Sequence, residues 1–310
     1  MKIAVLVPCY NEELTIKKVI EDFNLNLSES EIYVYDNNST DKTFEIVQNL
    51  QKTYQNLHLK KEYRQGKGNV VRSMFRDIEA DIYILVDGDD TYPAEFAKSL
   101  IKPIIDKEAD IVIGDRLSNG DYEKENKRPL HNFGNNLVKY LINKLFKANL
   151  KDIMTGYRAF NKKFVKNFPI LSDGFEIETE MTLHTLDKKF LIKEIPIKYR
   201  DRPEGSYSKL NTFSDGFRVL KTILWIFKDY KPLYFFSILS ILFFILSLIV
   251  GMPVILEFIK TAYITKIPSA ILAVGLMLIS ILSLFSGLIL DTIVNQHRRE
   301  YELNLTRYKE

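Results

Sequence analysis

Residues 82–90 have the sequence IYILVDGDD, in which a short apolar run is followed directly by a cluster of acidic residues. An apolar run of this length, bounded by Gly and Asp, is typical of a strand that is buried on both faces. Comparable runs recur at Ile3–Val7, Ile32–Tyr35, Leu57–Leu59 and Ile111–Ile113. Helical patterns separate them, roughly over Glu13–Leu27, Asp41–Thr53, Lys67–Glu79 and Ala94–Lys107. This alternation predicts an α/β domain with a mostly parallel, Rossmann-like sheet.

Polar residues follow four of the five predicted strands. They are Pro8–Glu13 after the first, Asp36–Asp41 after the second, Asp87–Asp90 after the fourth and Gly114–Arg116 after the fifth. Ligands of such sheets bind in the crevice outside the carboxyl ends of the strands. Carboxylates gathered there repel one another, so we expect a cation or sugar hydroxyl groups as their partner.

Asp87 and Asp89 are separated only by Gly88. Residues i and i+2 of an extended chain point the same way, so the two carboxylates suit Mg²⁺ or Mn²⁺ completed by substrate phosphates. Gly88 leaves room for a ligand to approach the backbone. An Asp-x-Asp is also common in ordinary turns. The Asp-x-Asp motif here lies at a strand end, with Asp36 and Glu12 at neighbouring strand ends. This position favours a metal site over an ordinary turn.

The chain lacks the motifs and composition of several other classes of protein. Gly66-Lys67-Gly68 lacks the spacing of a phosphate loop, and no G-x-G-x-x-G follows the first strand. The 43 basic and 40 acidic residues give a net charge of +3, too balanced to argue for nucleic acid as a partner. The single cysteine, Cys9, excludes an internal disulfide. With 46% hydrophobic and 27% charged residues, the composition excludes a disordered or collagen-like chain.

Two stretches near the end of the chain carry no charge over 24 residues each, at about 233–256 and 267–290. As helices they would be about 36 Å long, which is enough to cross a hydrocarbon core of about 30 Å. The alternative is a pair of buried core helices, which seldom run so far without a charge. We therefore predict two transmembrane helices.

The connection between the two spans is short, Glu257–Lys266, so the spans should form a hairpin whose flanks face the same side. Basic residues are concentrated in the flanks, at Lys221, Lys228, Lys231, Arg298, Arg299, Arg307 and Lys309. The positive-inside rule then places the N-terminal domain and both termini in the cytoplasm. As a separate expectation, the membrane is of the bacterial inner-membrane type. The apolar run at the N-terminus is too short for a signal peptide. Spans of this kind often need partners, which leaves a homo-oligomer open, although Gly251, Gly275 and Gly287 form no G-x-x-x-G pair.

The segment Leu210–Tyr230 has apolar residues at helical spacing and basic residues elsewhere. This pattern fits an amphipathic helix in the headgroup plane, or else an ordinary helix packed on the domain. The predicted organisation is an α/β domain over 1–209, a juxtamembrane region over 210–231, the two spans within 232–292 and a tail over 293–310.

Three motifs in order, V-P-C-Y-N-E-E, Y-D-N-N-S-T-D and V-D-G-D-D, together resemble family-2 glycosyltransferases of GT-A fold. The resemblance continues at Met154–Phe160, Gly174–Glu180 and Arg202–Leu210. These later motifs resemble the branch that contains dolichol-phosphate mannose synthase and the bacterial polyprenyl-phosphate glycosyltransferases, in which membrane helices follow the catalytic domain.

The resemblance implies transfer of one sugar from a UDP- or GDP-linked nucleotide sugar to a polyprenyl (undecaprenyl or dolichyl) phosphate in the bilayer, with Mg²⁺ or Mn²⁺ as cofactor. The residues that it implies for the nucleotide sugar are Pro8, Tyr10, Glu12, Asp36, Asn37, Asp87, Gly88, Asp89 and Arg116. Those for the acceptor phosphate are Arg116, Arg128, Asn132, Arg202 and Ser208. Asp87 and Asp89 would hold the metal, and the catalytic residues would be Asp89, Arg202 and Lys209. The chain departs from some relatives at Asn37 (Asp), Thr91 (Gln) and Asn132 (Ser).

A phosphate acceptor is mostly ionised at neutral pH, since its second pKa is about 6. It therefore needs no strong general base, and we expect direct attack on the anomeric carbon with inversion. The catalytic load is then stabilisation of the leaving diphosphate by metal and cations. If a base exists, the candidates are Glu176, Glu178 and Glu180, which are equally well explained as solvated or capping acids at a helix start.

Two other functions fit parts of the sequence. A polysaccharide synthase usually carries a Q-x-x-R-W motif and more spans, and the only tryptophan, Trp225, lacks that context. A non-catalytic membrane adaptor with a degenerate nucleotide-sugar domain is the other alternative, and the intact Asp87, Asp89 and Arg202 argue against it.

Overall fold

The computed structural model describes residues 1–118, 129–174, 176–202, 221 and 224–307, with the side chains of 129–133 and 135 excepted. The described residues form two compact units, one up to residue 202 and one from 221 to 307. Most of the predicted juxtamembrane helix, Leu210–Tyr230, lies outside the described residues, and residues 224–230 are helical.

The first unit is built on a seven-stranded sheet of order β3-β2-β1-β4-β6-β5-β7. The strands are β1 Ile3–Cys9, β2 Glu31–Asp36, β3 Leu57–Lys61, β4 Ile82–Leu85, β5 Ile111–Asp115, β6 Arg158–Asn161 and β7 Ile192–Pro196. Neighbouring strands are parallel except at β6, which is antiparallel to both β4 and β5. The predicted α/β fold with a mostly parallel sheet is therefore confirmed.

Seven helices of this unit are described between or beside the strands. They are α1 Ile16–Asn26, α2 Thr43–Leu50, α3 Lys67–Asp77, α4 Ala97–Ile105, α5 Pro129–Phe146, α6 Lys162–Asn167 and α7 Ile177–Asp187. A short 3₁₀ turn, Ala94–Phe96, precedes α4. The apolar faces of α1 and α4 pack on β1 and β4 in one hydrophobic core that includes Ile16, Ile20 and Leu100.

The register of the sheet brings the functional segments to one edge. Cys9 at the end of β1 lies opposite Asp36 at the end of β2. Leu6 lies opposite Leu85, so the acidic segment after β4 leaves the sheet beside the segment after β1. Because β6 runs the other way, its first residue, Arg158, lies opposite Leu85 and thus at the same edge. The residues before β6 therefore join those that follow β1, β2 and β4.

The second unit contains two long helices, α8 Pro232–Thr261 and α9 Ile267–Arg307. Both are long and apolar enough to cross a membrane, with mean hydropathies of 2.8 and 2.4 over their most apolar windows. They pack antiparallel through small residues: Ser280 Oγ donates to Ser240 O (2.9 Å), and Ser247 Oγ donates to Ala273 O (2.8 Å). The other faces expose Ile, Leu and Phe side chains. The predicted pair of apolar helices is confirmed, and each extends beyond its predicted span.

Candidate active site

The loops that follow β1 and β2 are tied together by hydrogen bonds across the edge of the sheet. The Asn11 backbone N–H donates to Ser39 Oγ (2.9 Å), and the Thr40 N–H donates to Asn11 Oδ1 (2.8 Å). The Glu12 N–H donates to Thr43 Oγ1 (2.8 Å). Asn11 is left-handed at φ 54°, a conformation that Asn tolerates better than most residues. Three predicted nucleotide-binding residues have partly exposed side chains here: Pro8 near the end of β1, and Tyr10 and Glu12 on the loop that follows it.

Asp36, at the end of β2, is fully buried. Its Oδ2 accepts the Ser39 N–H at 3.1 Å. Its Oδ1 is also buried, and within the described residues it has no hydrogen-bond partner. A buried acceptor without a donor is costly, so this oxygen is suited to an N–H or O–H group of a ligand.

The side chain of Asn37 forms all its hydrogen bonds with the neighbouring loop. Its Nδ2 donates to Glu62 O (3.0 Å) and Arg64 O (2.8 Å), and its Oδ1 accepts the Gly66 N–H (2.7 Å). Both amide hydrogens are thus used, and the residue holds the loop between β3 and α3 in place. A carboxylate at this position could not donate the two hydrogen bonds.

Asp87 is paired with a lysine that the sequence did not assign to the site. Lys67 Nζ donates to Asp87 Oδ1 and to Glu178 Oε1, at 2.5 Å each. The Lys67 and Glu178 side chains are each 7% exposed, and that of Asp87 is 28% exposed. Burial lowers the pKa of Lys67, but the two carboxylates raise it by more, so the ammonium group stays protonated.

Asp89 is held from both sides. Its Oδ1 accepts hydrogen bonds from the Thr91 hydroxyl (2.7 Å) and the Thr91 N–H (3.2 Å), and its Oδ2 accepts one from Arg202 Nη2 (2.5 Å). Burial lowers the pKa of Arg202, and the nearby Asp89 raises it above its usual value. Thr91 therefore orients Asp89.

Two glycines allow the aspartates to lie where they do. A Cβ at Gly88 would lie 2.9 Å from Cys9 Sγ. A Cβ at Gly156 would lie 2.5 Å from Asp87 Oδ2 and 3.0 Å from Lys67 Nζ. Gly156 belongs to the segment before β6, so the antiparallel strand supplies the wall against which Asp87 rests.

Arg116, just after β5, is fixed by a second aspartate. Its Nε and Nη2 donate to Asp152 at 2.7 and 3.0 Å, its Nη1 donates to Tyr92 Oη at 3.3 Å, and its guanidinium lies 5.7 Å from the ring centre of Tyr199. Burial raises the pKa of Asp152, but Arg116 lowers it by more. Arg116 is therefore held in one orientation by an ion pair and an aromatic face.

Arg158 is a fully buried arginine beneath this edge. Its guanidinium donates to Thr155 O (2.9 Å), Ile153 O (2.8 Å) and Thr182 Oγ1 (3.0 Å). Burial lowers its pKa to about 10, so it is charged at neutral pH. Arg158 thereby fixes the segment that contains Gly156 against α7.

The three glutamates proposed as alternative bases have different surroundings. Glu180 accepts the N–H groups of Leu171 (2.9 Å) and Ser172 (3.0 Å), and Glu178 accepts the bond from Lys67. Glu176 is exposed. In this structure Glu178 and Glu180 act as anchors of neighbouring segments.

Several of the residues implied by the resemblance cannot be placed. Arg128, Ser208 and Lys209 lie outside the described residues, and Asn132 lies in α5 with its side chain not described. The structure brings together Asp36, Asp87, Asp89 and Arg202 with the tied loops. It adds Lys67, Asp152 and Arg158. Lys67 lies in Gly66-Lys67-Gly68 and Arg158 in the motif Met154–Phe160, whereas Asp152 had no local signal.

Asp87 and Asp89 are the pair that could hold a divalent cation. Asp87 Oδ2 receives no hydrogen bond within the described residues, and carboxylate oxygens are what Mg²⁺ and Mn²⁺ prefer. In the part of the chain that the structure describes, no group of three or more His, Cys, Asp or Glu side chains gathers into a metal site. Two carboxylates fit a cation that takes its remaining ligands from substrate phosphates and water.

The chain is similar to known glycosyltransferases over most of its length. The family model "Glycosyl transferase family 2" matches residues 4–168. The glycosyltransferase AglJ of Haloferax volcanii is 28% identical over 299 residues, which cover 96% of this chain and 95% of AglJ. A dolichyl-phosphate hexose transferase of the same organism is 27% identical over 223 residues, 72% of this chain and 92% of the relative.

Among solved structures, glucosyl-3-phosphoglycerate synthase of Mycobacterium tuberculosis, crystallised with Mn²⁺, UDP and phosphoglyceric acid, superposes with a TM-score of 0.56. It is 18% identical, and the match covers 73% of this chain and 78% of that one, which shows a shared fold. The family model covers more than half of the chain, and the strand-edge aspartates lie within it. The chain belongs to glycosyl transferase family 2.

Proposed function

We propose that this glycosyltransferase transfers a single sugar, with inversion, from a UDP- or GDP-linked donor to a polyprenyl phosphate in the membrane. The observation that carries the proposal is the pairing of Asp87 and Asp89 with Lys67 and Arg202 at the strand edge. Alternating carboxylates and cations suit a diphosphate with its divalent metal. The two apolar helices of the same chain and the similarity to a dolichyl-phosphate hexose transferase support a lipid acceptor.

The donor side of the site has separate groups for the nucleoside and the diphosphate. Asp36, with its unpartnered Oδ1, lies beside the tied loops and would accept a hydrogen bond from the base or ribose. Asp87 and Asp89 would hold Mg²⁺ or Mn²⁺ together with the diphosphate. The bound cation would supply charge stabilisation of the leaving group.

The residues of the chain then have defined tasks in the transfer. Arg202 exchanges its bond to Asp89 for one to a phosphate, since an arginine suits bidentate phosphate binding. Arg116 presents a fixed guanidinium to the acceptor phosphate, with Arg128, Asn132 and Ser208 as further contacts, and Lys209 assists the leaving diphosphate. The ionised acceptor attacks without a base, because its attacking oxygen carries no proton that a base would have to remove. Glu178 and Glu180 are already engaged in the fold.

The C-terminal helices would keep the enzyme on the membrane where its acceptor is dissolved. We propose that α8 and α9 span the bilayer with both termini on the cytoplasmic side, and that residues 1–209 form the catalytic domain, 210–231 a juxtamembrane region and 293–310 a tail. Attachment to the bilayer reduces the search for a lipid acceptor to two dimensions.

A transfer assay tests the proposal. Full-length protein in detergent is given UDP- and GDP-sugars, Mg²⁺ or Mn²⁺, and undecaprenyl phosphate. We expect a metal-dependent lipid-linked sugar of inverted anomeric configuration, lost in Asp89→Asn. Asp90→Asn is the matched control, because Asp90 pairs with Lys18 and Arg200 and should tolerate the change.

The other outcomes separate the parts of the proposal. Release of nucleotide without a lipid product would contradict the proposed lipid acceptor, but it would still support the proposed nucleotide-sugar donor. A retained configuration would contradict direct displacement. No turnover with any donor would favour the non-catalytic adaptor.

A further inference from the structure

Lys67 is buried with two carboxylates as its partners, and those partners come from distant parts of the chain. Asp87 follows β4, and Glu178 lies in the first turn of α7. Together the three side chains carry one net negative charge. The lysine side chain is only 7% exposed, so it is poorly placed to contact a substrate itself.

The backbone around Lys67 is fixed by close packing on the segment before α7. A Cβ at Gly66 would lie 2.2 Å from Asp173 O, and one at Gly68 would lie 2.1 Å from Ser172 O. The Gly68 N–H donates to Asp173 O at 3.0 Å. The two glycines therefore let the start of α3 touch this segment backbone to backbone, which sets where the lysine side chain begins.

The contacts of Lys67 distinguish the two oxygens of Asp87. Oδ1 accepts the ammonium, whereas Oδ2 faces Gly156 and receives no hydrogen bond within the described residues. We propose that Lys67 is a positioning residue: anchored by Glu178, it holds Asp87 Oδ1 so that Oδ2 is the oxygen presented to the divalent cation of the donor. This inference rests on the donor half of the proposed function.

Glu178 has a second effect in this arrangement. A lysine with Asp87 as its only partner would neutralise that carboxylate and weaken its attraction for a cation. Sharing the ammonium with Glu178 leaves the cluster with negative charge for the metal. Glu178 thus anchors the Lys67 side chain and offsets part of its positive charge.

The test compares nucleotide binding with and without metal. Calorimetry on the full-length protein in detergent measures the affinity for UDP, and in parallel GDP, in Mn²⁺ and in EDTA. We expect Lys67→Met to weaken binding about tenfold or more in Mn²⁺, the effect of losing a charge-assisted hydrogen bond. In EDTA we expect less than about a twofold change, because Lys67 acts on the nucleotide only through Asp87 and the cation.

Lys166→Met is the matched control. Lys166 is 16% exposed and donates to Phe75 O (2.9 Å) and Ile78 O (2.8 Å), away from the aspartates. We expect it to leave binding unchanged in both conditions. If Lys67→Met does not fold, as judged by its melting curve, Glu178→Gln keeps the shape of the anchor and should show a smaller loss that also requires Mn²⁺.

An equal loss in Mn²⁺ and EDTA would overturn the inference, since it would mean direct contact with the nucleotide or general damage. No loss, or tighter binding in Mn²⁺, would overturn it too. A wild-type chain that binds nucleotide with Mn²⁺ but transfers no sugar to lipid would contradict the proposed acceptor, while a loss confined to Mn²⁺ would still support the role of Lys67. A wild-type chain that binds neither UDP nor GDP would overturn both the proposed donor and the proposed role of Lys67.

Discussion

Replacing Gly156 by alanine should remove most of the transferase activity without unfolding the protein. The added Cβ would lie 2.5 Å from Asp87 Oδ2, where ordinary van der Waals contact begins at 3.4 Å. The carboxylate must therefore move by about 0.9 Å or the segment before β6 must yield. A displacement of about 1 Å in a catalytic group costs up to about 100-fold in rate. We expect a loss of roughly 30- to 100-fold in kcat, with a stability cost of about 1–3 kcal/mol from overpacking.

The assay is the transfer of sugar to undecaprenyl phosphate, with thermal melting of each variant as the measure of folding. Gly275→Ala is the matched control, because a Cβ at Gly275 would meet nothing within 4 Å. It should retain the wild-type rate. A folded Gly156→Ala variant with activity within about threefold of wild type would refute the idea that this glycine sets the position of Asp87.

Three further predictions concern residues around the same edge. Arg202→Gln should lower the transfer rate about 100-fold or more, whereas Arg200→Gln, whose side chain pairs with Asp90 instead, should stay within about threefold in the same assay. Arg158→Met removes three hydrogen bonds from a buried guanidinium and should cost about 2–4 kcal/mol, measured as a melting temperature lower by about 5–10 °C. Hydrogen bonding from Arg64 lowers the pKa of Glu62 from 4.5 to about 2, so its stabilisation is complete above pH 4.5 and is lost as the pH falls towards 2. The melting temperature of wild type should therefore fall more steeply over that acid range than that of Glu62→Gln, and parallel curves would contradict this.

The strand ends show which parts of the site can be predicted from local sequence. Asp36, Asp87 and Asp89 were expected at one edge, because each follows an apolar run and parallel strands end together. The register of β1 with β2 and β4 places them there. Strand β6 was not expected: its four residues, R-A-F-N, form no apolar run, and it enters the sheet against the direction of its neighbours. Its position depends on β4 and β5, because it lies between these two strands and pairs with both of them.

The hydrogen-bond partners of the polar and charged residues at the site could not be predicted from the sequence. Thr91 was recognised as a departure from relatives, but only the structure shows that its hydroxyl orients Asp89. Asn37 was assigned to the nucleoside by resemblance, and its contacts show an anchor for the loop between β3 and α3. Arg158 lies in the motif Met154–Phe160, but its structural task could not be read there, because a buried arginine is indistinguishable in sequence from an exposed one.

The sequence by itself determined the α/β domain, the two long apolar helices and the edge of the sheet at which the acids gather. These features follow from hydrophobic periodicity and run length, which are properties of neighbouring residues. The tertiary structure alone decided that Lys67 meets Glu178 across 111 residues and that Arg202 meets Asp89 across 113. Such pairs form because crossover connections bring distant segments to one edge, where burial makes an unpaired charge too costly to leave.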